Sequence, residues 1–193
     1  MDREYEALPI RELGAGAGFR RPVAVSAGRV TPESPALLVM TDLARVSPAT
    51  IRPQAPLHGA NQFMITRGVR LLLVVDDEER VLGVITAQDL LGERPMLAAT
   101  GRGLRRDELS VADIMTPAEV VEVVSLDDVE HARVGHIVET LRRTGRQHAL
   151  VVDGERMVRG IFSVSQVARQ LGVAIQPGAE VARTFAEIEA AIR

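Results

Sequence analysis

The chain has 193 residues, 46% of them hydrophobic, and a formal net charge of −3, which suits one good-sized domain or two small ones with a core that needs no covalent staples. It has no cysteine, and its 23 basic residues are all arginine. Disulfides, thiolate metal sites, Schiff-base chemistry and a P-loop lysine are therefore excluded. The acidic balance and 3% aromatic content give no footprint for nucleic acid or an anionic membrane, and no apolar run reaches the roughly 18 residues of a membrane span.

The opening MDREYEALPIRELGAG is acidic and lacks an apolar signal region, so the expected location is cytoplasmic. The glycine-rich GAGAGFRRP predicts a weakly ordered N-terminal segment over 1–33. SPALLVMTDL predicts a helix capped by Ser34 with Pro35 in its first position. Leu57, Ala60, Phe63 and Met64 follow at helical spacing, with Gly68 to end that helix. VRLLLVVDDEERVLGVIT reads as two apolar strands around an acidic turn. In that turn Asp76, Asp77, Glu78 and Glu79 read as solvated charge. A short helix starts at Ala87. GERPMLAATGRGLRRDE, residues 92–108 with three glycines, a proline and four arginines, reads as a linker over 93–108.

The series then begins again. LSVADIMT resembles ALLVMTDL, and EVVEVVS reads as a strand. LDDVEHARVGHIVETLRRTG predicts one helix, capped by Asp127, ended by Gly145, with Val129, Ala132, Ile137, Val138 and Leu141 inward. HALVVDGERMVRGIFS is a second strand pair, and another helix starts near Val164. Met40 to Met115 is 75 residues and Thr86 to Ser163 is 77, so the second copy carries two extra residues, expected in its longer helix. Two copies of such length are not a solenoid. They are a duplicated α/β unit over 34–92 and 109–172, and each copy holds too little to bury both faces of its strands. The copies should pack together across a pseudo-twofold axis. Over 173–193, Val181, Phe185, Ile188 and Ile192 form the stripe of a terminal amphipathic helix.

The two copies share a strand-to-helix corner, with Thr86 three residues before Asp89 and Ser163 three residues before Gln166. Free N–H groups at a helix start suit a phosphate, and an acceptor-only carboxylate suits vicinal hydroxyls. Both corners also read as capping boxes. Gln166 can close such a cap but offers no anionic acceptor. His131 and His136 lie five apart, off one helical face, so no metal site is expected. His148 reads as a packed histidine at a strand start, and Arg102, Arg105 and Arg106 as solvated loop charge.

VMTDLARVSPATIRP…VRLLLVVDDEERVLGVITAQDL and IMTPAEVVEV…RQHALVVDGERMVRGIFSVSQV, spanning about residues 36–172, resemble a tandem pair of CBS domains, or Bateman module. GERPM and GRQHALVVD…VRGIFS are similar to short stand-alone bacterial CBS proteins. The resemblance implies an α/β (α+β) fold of two β-α-β-β-α repeats, two clefts between them, and a C-terminal helix added. It implies a regulatory, non-catalytic module with no obligatory cofactor, binding an adenine nucleotide (AMP, ADP, ATP) or S-adenosylmethionine, pairing as a homodimer and signalling to an effector protein. It gives the ribose to Asp89 and the phosphate to Thr86, with Arg146, Gln147, Pro117, Ala118, Val120 and Val121 of the other copy completing that cleft. Val69, Arg70, Ser163 and Gln166 line a weaker second cleft, which departs from the family pattern at Gln166. The alternative is an interaction or scaffold protein that kept the fold without the ligand.

Overall fold

The computed structural model describes residues 30–173 and 181–192; most of the N-terminal segment expected to be weakly ordered lies outside them. A 3-10 turn, Ala36–Val39, leads into β1 (Thr41–Asp42), β2 (Thr50–Ile51), α1 (Leu57–Arg67), β3 (Leu71–Val75), β4 (Val81–Thr86) and α2 (Ala87–Leu91). Next come α3 (Arg94–Arg102), α4 (Val111–Ile114), β5 (Thr116–Pro117), β6 (Val123–Ser125), α5 (Leu126–His131) and α6 (Val134–Thr144). The chain continues through β7 (His148–Val152), β8 (Val158–Ser163), α7 (Val164–Gln170) and α8 (Val181–Ile192).

Two four-stranded sheets result, ordered β2-β3-β4-β5 and β1-β8-β7-β6. The repeats exchange strands: β1 of the first pairs with β8 of the second, and β5 of the second with β4 of the first. β3 shows why this chain segment is a strand. All five of its residues are buried, and they alternate between two cores with the period of a pleated strand. Leu72 and Val74 face the helices of the first repeat. Leu71, Leu73 and Val75 join Val84 and Leu150 between the sheets. Each such side chain contributes roughly 1.5–3 kcal/mol when fully buried, and the second repeat has its own core around Phe162 and Leu141.

The acidic turns do more than meet solvent. Asp76 Oδ1 accepts from the N–H groups of Glu78 and Arg80, and Asp153 Oδ1 from those of Glu155 and Met157. Each thereby organises its hairpin turn through its own side chain. α1 ends on Gly68 with φ of 64°, and α6 on Gly145 with φ of 63°, where the left-handed conformation favours glycine.

Several sequence expectations are corrected. Ser34 and Pro35 do not open an α-helix: only the 3-10 turn follows, and the Ser34 hydroxyl accepts from Thr31 N–H, upstream. Residues 93–108 hold α3 and a second 3-10 turn, Arg106–Glu108. EVVEVVS begins as a 3-10 turn, Ala118–Val120, and is a strand only over β6. The long helix predicted after Asp127 is two, α5 and α6, broken at Ala132 and Arg133. There the backbone pairs with the chain leading into the first 3-10 turn and with the turn's first residue: Ala36 N–H donates to Ala132 O, Val134 N–H to Ser34 O and Gly135 N–H to Pro32 O. Asp127 sits inside the first turn of α5, whose cap position is Ser125. The two extra residues are a net figure. The offset between copies falls to 73 at Thr50 and Val123, partners of Leu73 and Leu150. It rises to 77 from Leu57 and Val134 onward, with α5 supplying the gain.

The C-terminal helix, whose apolar stripe has no evident place in either repeat by sequence, docks on its own chain. Phe185 and Ile188 are buried in the second repeat's core, and Arg142 pairs with Glu189 at 3.5 Å. The side chains of Val181 and Ile192 lie outside the described residues. Among the described residues no helix is long and apolar enough to cross a membrane.

Candidate functional site: the Asp89 cleft

Where β4 turns into α2, Thr86 is the helix cap. Its N–H and its hydroxyl both donate to Asp89 Oδ2, at 2.8 and 2.7 Å, and its Oγ1 accepts from Asp89 N–H at 3.2 Å. The corner is therefore a closed capping box, and the Thr86 donors offered to a phosphate by the sequence are engaged within the protein. Asp89 Oδ1 faces the other way and accepts from Arg94 Nη1 at 2.8 Å. Arg94 also donates to Ile114 O and Thr116 Oγ1, both at 3.1 Å. One guanidinium thus ties the first repeat's corner to the strand that the second repeat inserts beside it.

Arg94 escaped the sequence reading because its segment looks like a linker. The signal was present in Pro95, suited to a first helical turn, in Ala98 and Ala99 three and four residues on, and in Gly103, which closes α3 with φ of 65°.

Across from the corner lies the start of β7. Thr86, Asp89 and Arg94 together with Val120, Val121, Glu122, Arg146, Gln147 and His148 line a cleft of about 840 Å³. Leu71, Val84 and Leu150 contribute its apolar surface. Of the residues expected here, Thr86, Asp89, Arg146, Gln147, Val120 and Val121 are brought together. Pro117 and Ala118 are exposed at the β5 edge and are not among the lining residues. Arg146 pairs with Glu122 at 3.0 Å. His148 is mostly buried, and its Nδ1 is shielded without a hydrogen-bond partner. Burial, reinforced by the nearby Arg70 charge and opposed by Asp89, lowers its pKa to about 4, so the ring is neutral at neutral pH.

The second corner is built differently. Ser163 makes no cap hydrogen bond; its hydroxyl lies 2.9 Å from that of Ser165. Gln166 does not close a cap either, since its Oε1 accepts from Thr41 Oγ1 at 2.8 Å. Thr41 on β1 is the counterpart of Thr116 on β5, and the counterpart of Arg94 is Leu171, which is buried. The acid and its cation have therefore been replaced together, leaving a direct amide-to-hydroxyl bond. The backbone of the corner is kept: Val164 N–H donates to Gln147 O just as Ala87 N–H donates to Arg70 O. Val69 packs half-buried against the first repeat's core, its N–H donating to Met64 O at the end of α1, and the Arg70 side chain is exposed.

Comparison with known proteins agrees with this architecture. A family model described as CBS domain matches residues 39–95. Over 68 residues the chain is 29% identical to the Uncharacterized protein MK0525 of Methanopyrus kandleri. That stretch is 35% of each, so the match spans about a third of the curated relative. Among solved structures, an uncharacterized conserved protein from Pyrococcus horikoshii superposes with a TM-score of 0.56 at 19% identity, covering 77% of this chain and 100% of that one. CBSX2, solved in complex with AMP, gives 0.52 at 22% identity, covering 70% and 94%. The CBS-domain containing protein ATU1752 from Agrobacterium tumefaciens gives 0.51 at 22%, covering 66% and 88%.

Proposed function

The chain is a tandem CBS-domain module, and we propose that it is a regulatory sensor, without chemistry of its own, for a small adenosine-containing ligand bound in the Asp89 cleft. One observation carries this reading: a partly buried carboxylate, held on a helix corner of one repeat, faces the β7 start of the other across a cleft sized for such a ligand. The AMP complex of CBSX2, a protein of the same fold, supports it. Asp89 Oδ2 already accepts two hydrogen bonds and Oδ1 one. With about two acceptor positions per oxygen, one ribose hydroxyl can be added at Oδ1 beside Arg94. A bound ligand would bridge the two sheets and so bias how the repeats sit together, which is the output offered to an effector protein.

A thermal-shift screen against AMP, ADP, ATP, S-adenosylmethionine and cyclic dinucleotides tests the reading. A ligand at 100 times its dissociation constant adds about 2.7 kcal/mol, expected to raise Tm by on the order of 5–10 °C for a chain of this length. No shift from any adenosine compound would favour the scaffold reading, which draws support from Gln166 and from the internal partners of Asp89.

Asp89→Asn separates ligand contact from capping. A hydrogen bond to a charged group contributes roughly 1.5–3 kcal/mol, so the variant should bind at least about tenfold more weakly. Its ligand-free stability should fall by roughly 1–2 kcal/mol, because an Asn oxygen still accepts from Thr86 while the partly exposed ion pair with Arg94 is lost. Unchanged affinity would return Asp89 to a purely structural role.

The same reading includes a homodimer. Docking of α8 on its own chain removes one argument for it, while Ile65, Leu91, Met96 and Leu97 leave apolar surface on the first repeat's helices. Light scattering should give twice the 20.9 kDa chain mass at tens of micromolar; a monomer there would count against pairing.

A further inference from the structure

We propose that the Asp89 cleft selects an adenosine compound without phosphate groups, neutral or cationic, over AMP and ATP. This rests on the reading of the cleft as an adenosine site and names the ligand class it takes.

The argument is an inventory of donors and charges. A phosphate needs N–H or O–H donors or an uncommitted cation. Both donors of Thr86 point at Asp89, and the side-chain donors that remain in the lining, the Gln88 and Gln147 amides and the Thr116 hydroxyl, carry no charge to offset that of a phosphate. α2 is a single short turn of five residues, too brief to supply a useful dipole. The two guanidiniums of the lining are each held by a carboxylate, Arg94 by Asp89 and Arg146 by Glu122. Glu93 adds a third acid to the lining, so three carboxylates stand against two guanidiniums. His148 adds no positive charge at neutral pH. A polyphosphate entering here would meet the exposed carboxylates of Glu93 and Glu122, and like charges there are repelled, most strongly at low ionic strength.

What the cleft does offer fits a nucleoside. Leu71, Val84, Val120, Val121 and Leu150 present apolar surface to a flat base. Oδ1 of Asp89 has room for one hydroxyl donor. The excess of acid tolerates a positive group, such as a sulfonium, in the position a phosphate would take. The second corner makes the contrast plain, since there the acid is replaced by Gln166 and Arg70 stands at the site matching Gln147. The charge of Arg70 is felt at His148 on the wall of the Asp89 cleft, but Arg70 is not among the residues lining that cleft.

Titration calorimetry of the full chain with adenosine, S-adenosylmethionine, AMP and ATP at fixed ionic strength tests this. Adenosine and S-adenosylmethionine should bind, with ATP at least about tenfold weaker. In Glu122→Gln, which releases Arg146 and removes one negative charge, the ratio of adenosine to ATP affinity should fall by about tenfold. ATP or AMP binding as tightly as adenosine, or a ratio unmoved in Glu122→Gln, would overturn the inference while leaving the adenosine site standing. Failure of all four compounds to bind would overturn the parent reading and this one with it.

Discussion

Gly83→Ala is expected to destabilise the protein by roughly 3 kcal/mol, lowering Tm by on the order of 10 °C. A Cβ built at Gly83 would lie 2.3 Å from Thr116 O and 3.2 Å from Pro117 Cα. Both are backbone atoms of β5, the strand that the second repeat lends to the first sheet. Nothing there can rotate away, so β5 must shift and its pairing with β4 is lost. Gly160 is the counterpart in the second repeat, and it provides the control. A Cβ at Gly160 would meet Met40 Sδ at 2.3 Å and Cγ at 2.8 Å, the flexible part of an unbranched side chain that can repack. Gly160→Ala should therefore cost about a third as much, roughly 1 kcal/mol. Urea and thermal unfolding of both variants would check the pair. Equal losses, or a larger loss at Gly160, would contradict the claim that strand exchange depends on the bare backbone of Gly83. The same shift would also reach the cleft, because Thr116 on β5 holds Arg94.

The parts of this fold that were legible in the sequence are those set by local periodicity. β3 and β4 announced themselves as apolar runs around Asp76, α1 as a spaced apolar face ending on Gly68, and the doubling as the matched corners at Thr86 and Ser163. What was not legible depends on partners far along the chain. The break between α5 and α6 is imposed by backbone pairing with residues 32–36, which no helical periodicity around Ala132 reveals. The exchange of β1 and β5 rests on two-residue strands, too short to carry an alternation. The site divided along the same line. Asp89 was visible as the acid of a corner, whereas Arg94 joins that acid to Ile114 and Thr116, 20 and 22 residues further on, and was read as part of a linker. The replacement of Asp89 by Gln166 was visible too, but its consequence was not. Only the structure shows that Leu171 stands where Arg94 would be needed, so the neutral corner is self-consistent.

His148 should make the protein sensitive to mild acid. In the folded chain its pKa is lowered to about 4, burial being the main cause and Arg70 a second, with Asp89 acting in the opposite direction. In the unfolded chain it lies near the ordinary value, about 6.5. Between these values the unfolded state binds a proton that the folded state refuses. Stability is therefore fully present above about pH 6.5, falls as the pH drops through the window, and levels off below about pH 4. At 1.36 kcal/mol per pH unit, lowering the pH from 7.5 to 5 should cost about 2 kcal/mol through this ring alone. The other groups of the protein titrate as well, so the effect is read as a difference. His148→Leu is the matched variant, because Leu71 fills the corresponding place in the first repeat and is itself buried between the sheets. Urea unfolding at pH 7.5 and pH 5 should show wild type losing about 2 kcal/mol more than His148→Leu. Equal losses would mean that the folded ring keeps the ordinary pKa of a solvated imidazole. A fraction of the molecules would then carry a positive His148 on the wall of the Asp89 cleft near neutral pH, and the charge inventory that turns that cleft away from phosphates would lose one of its members.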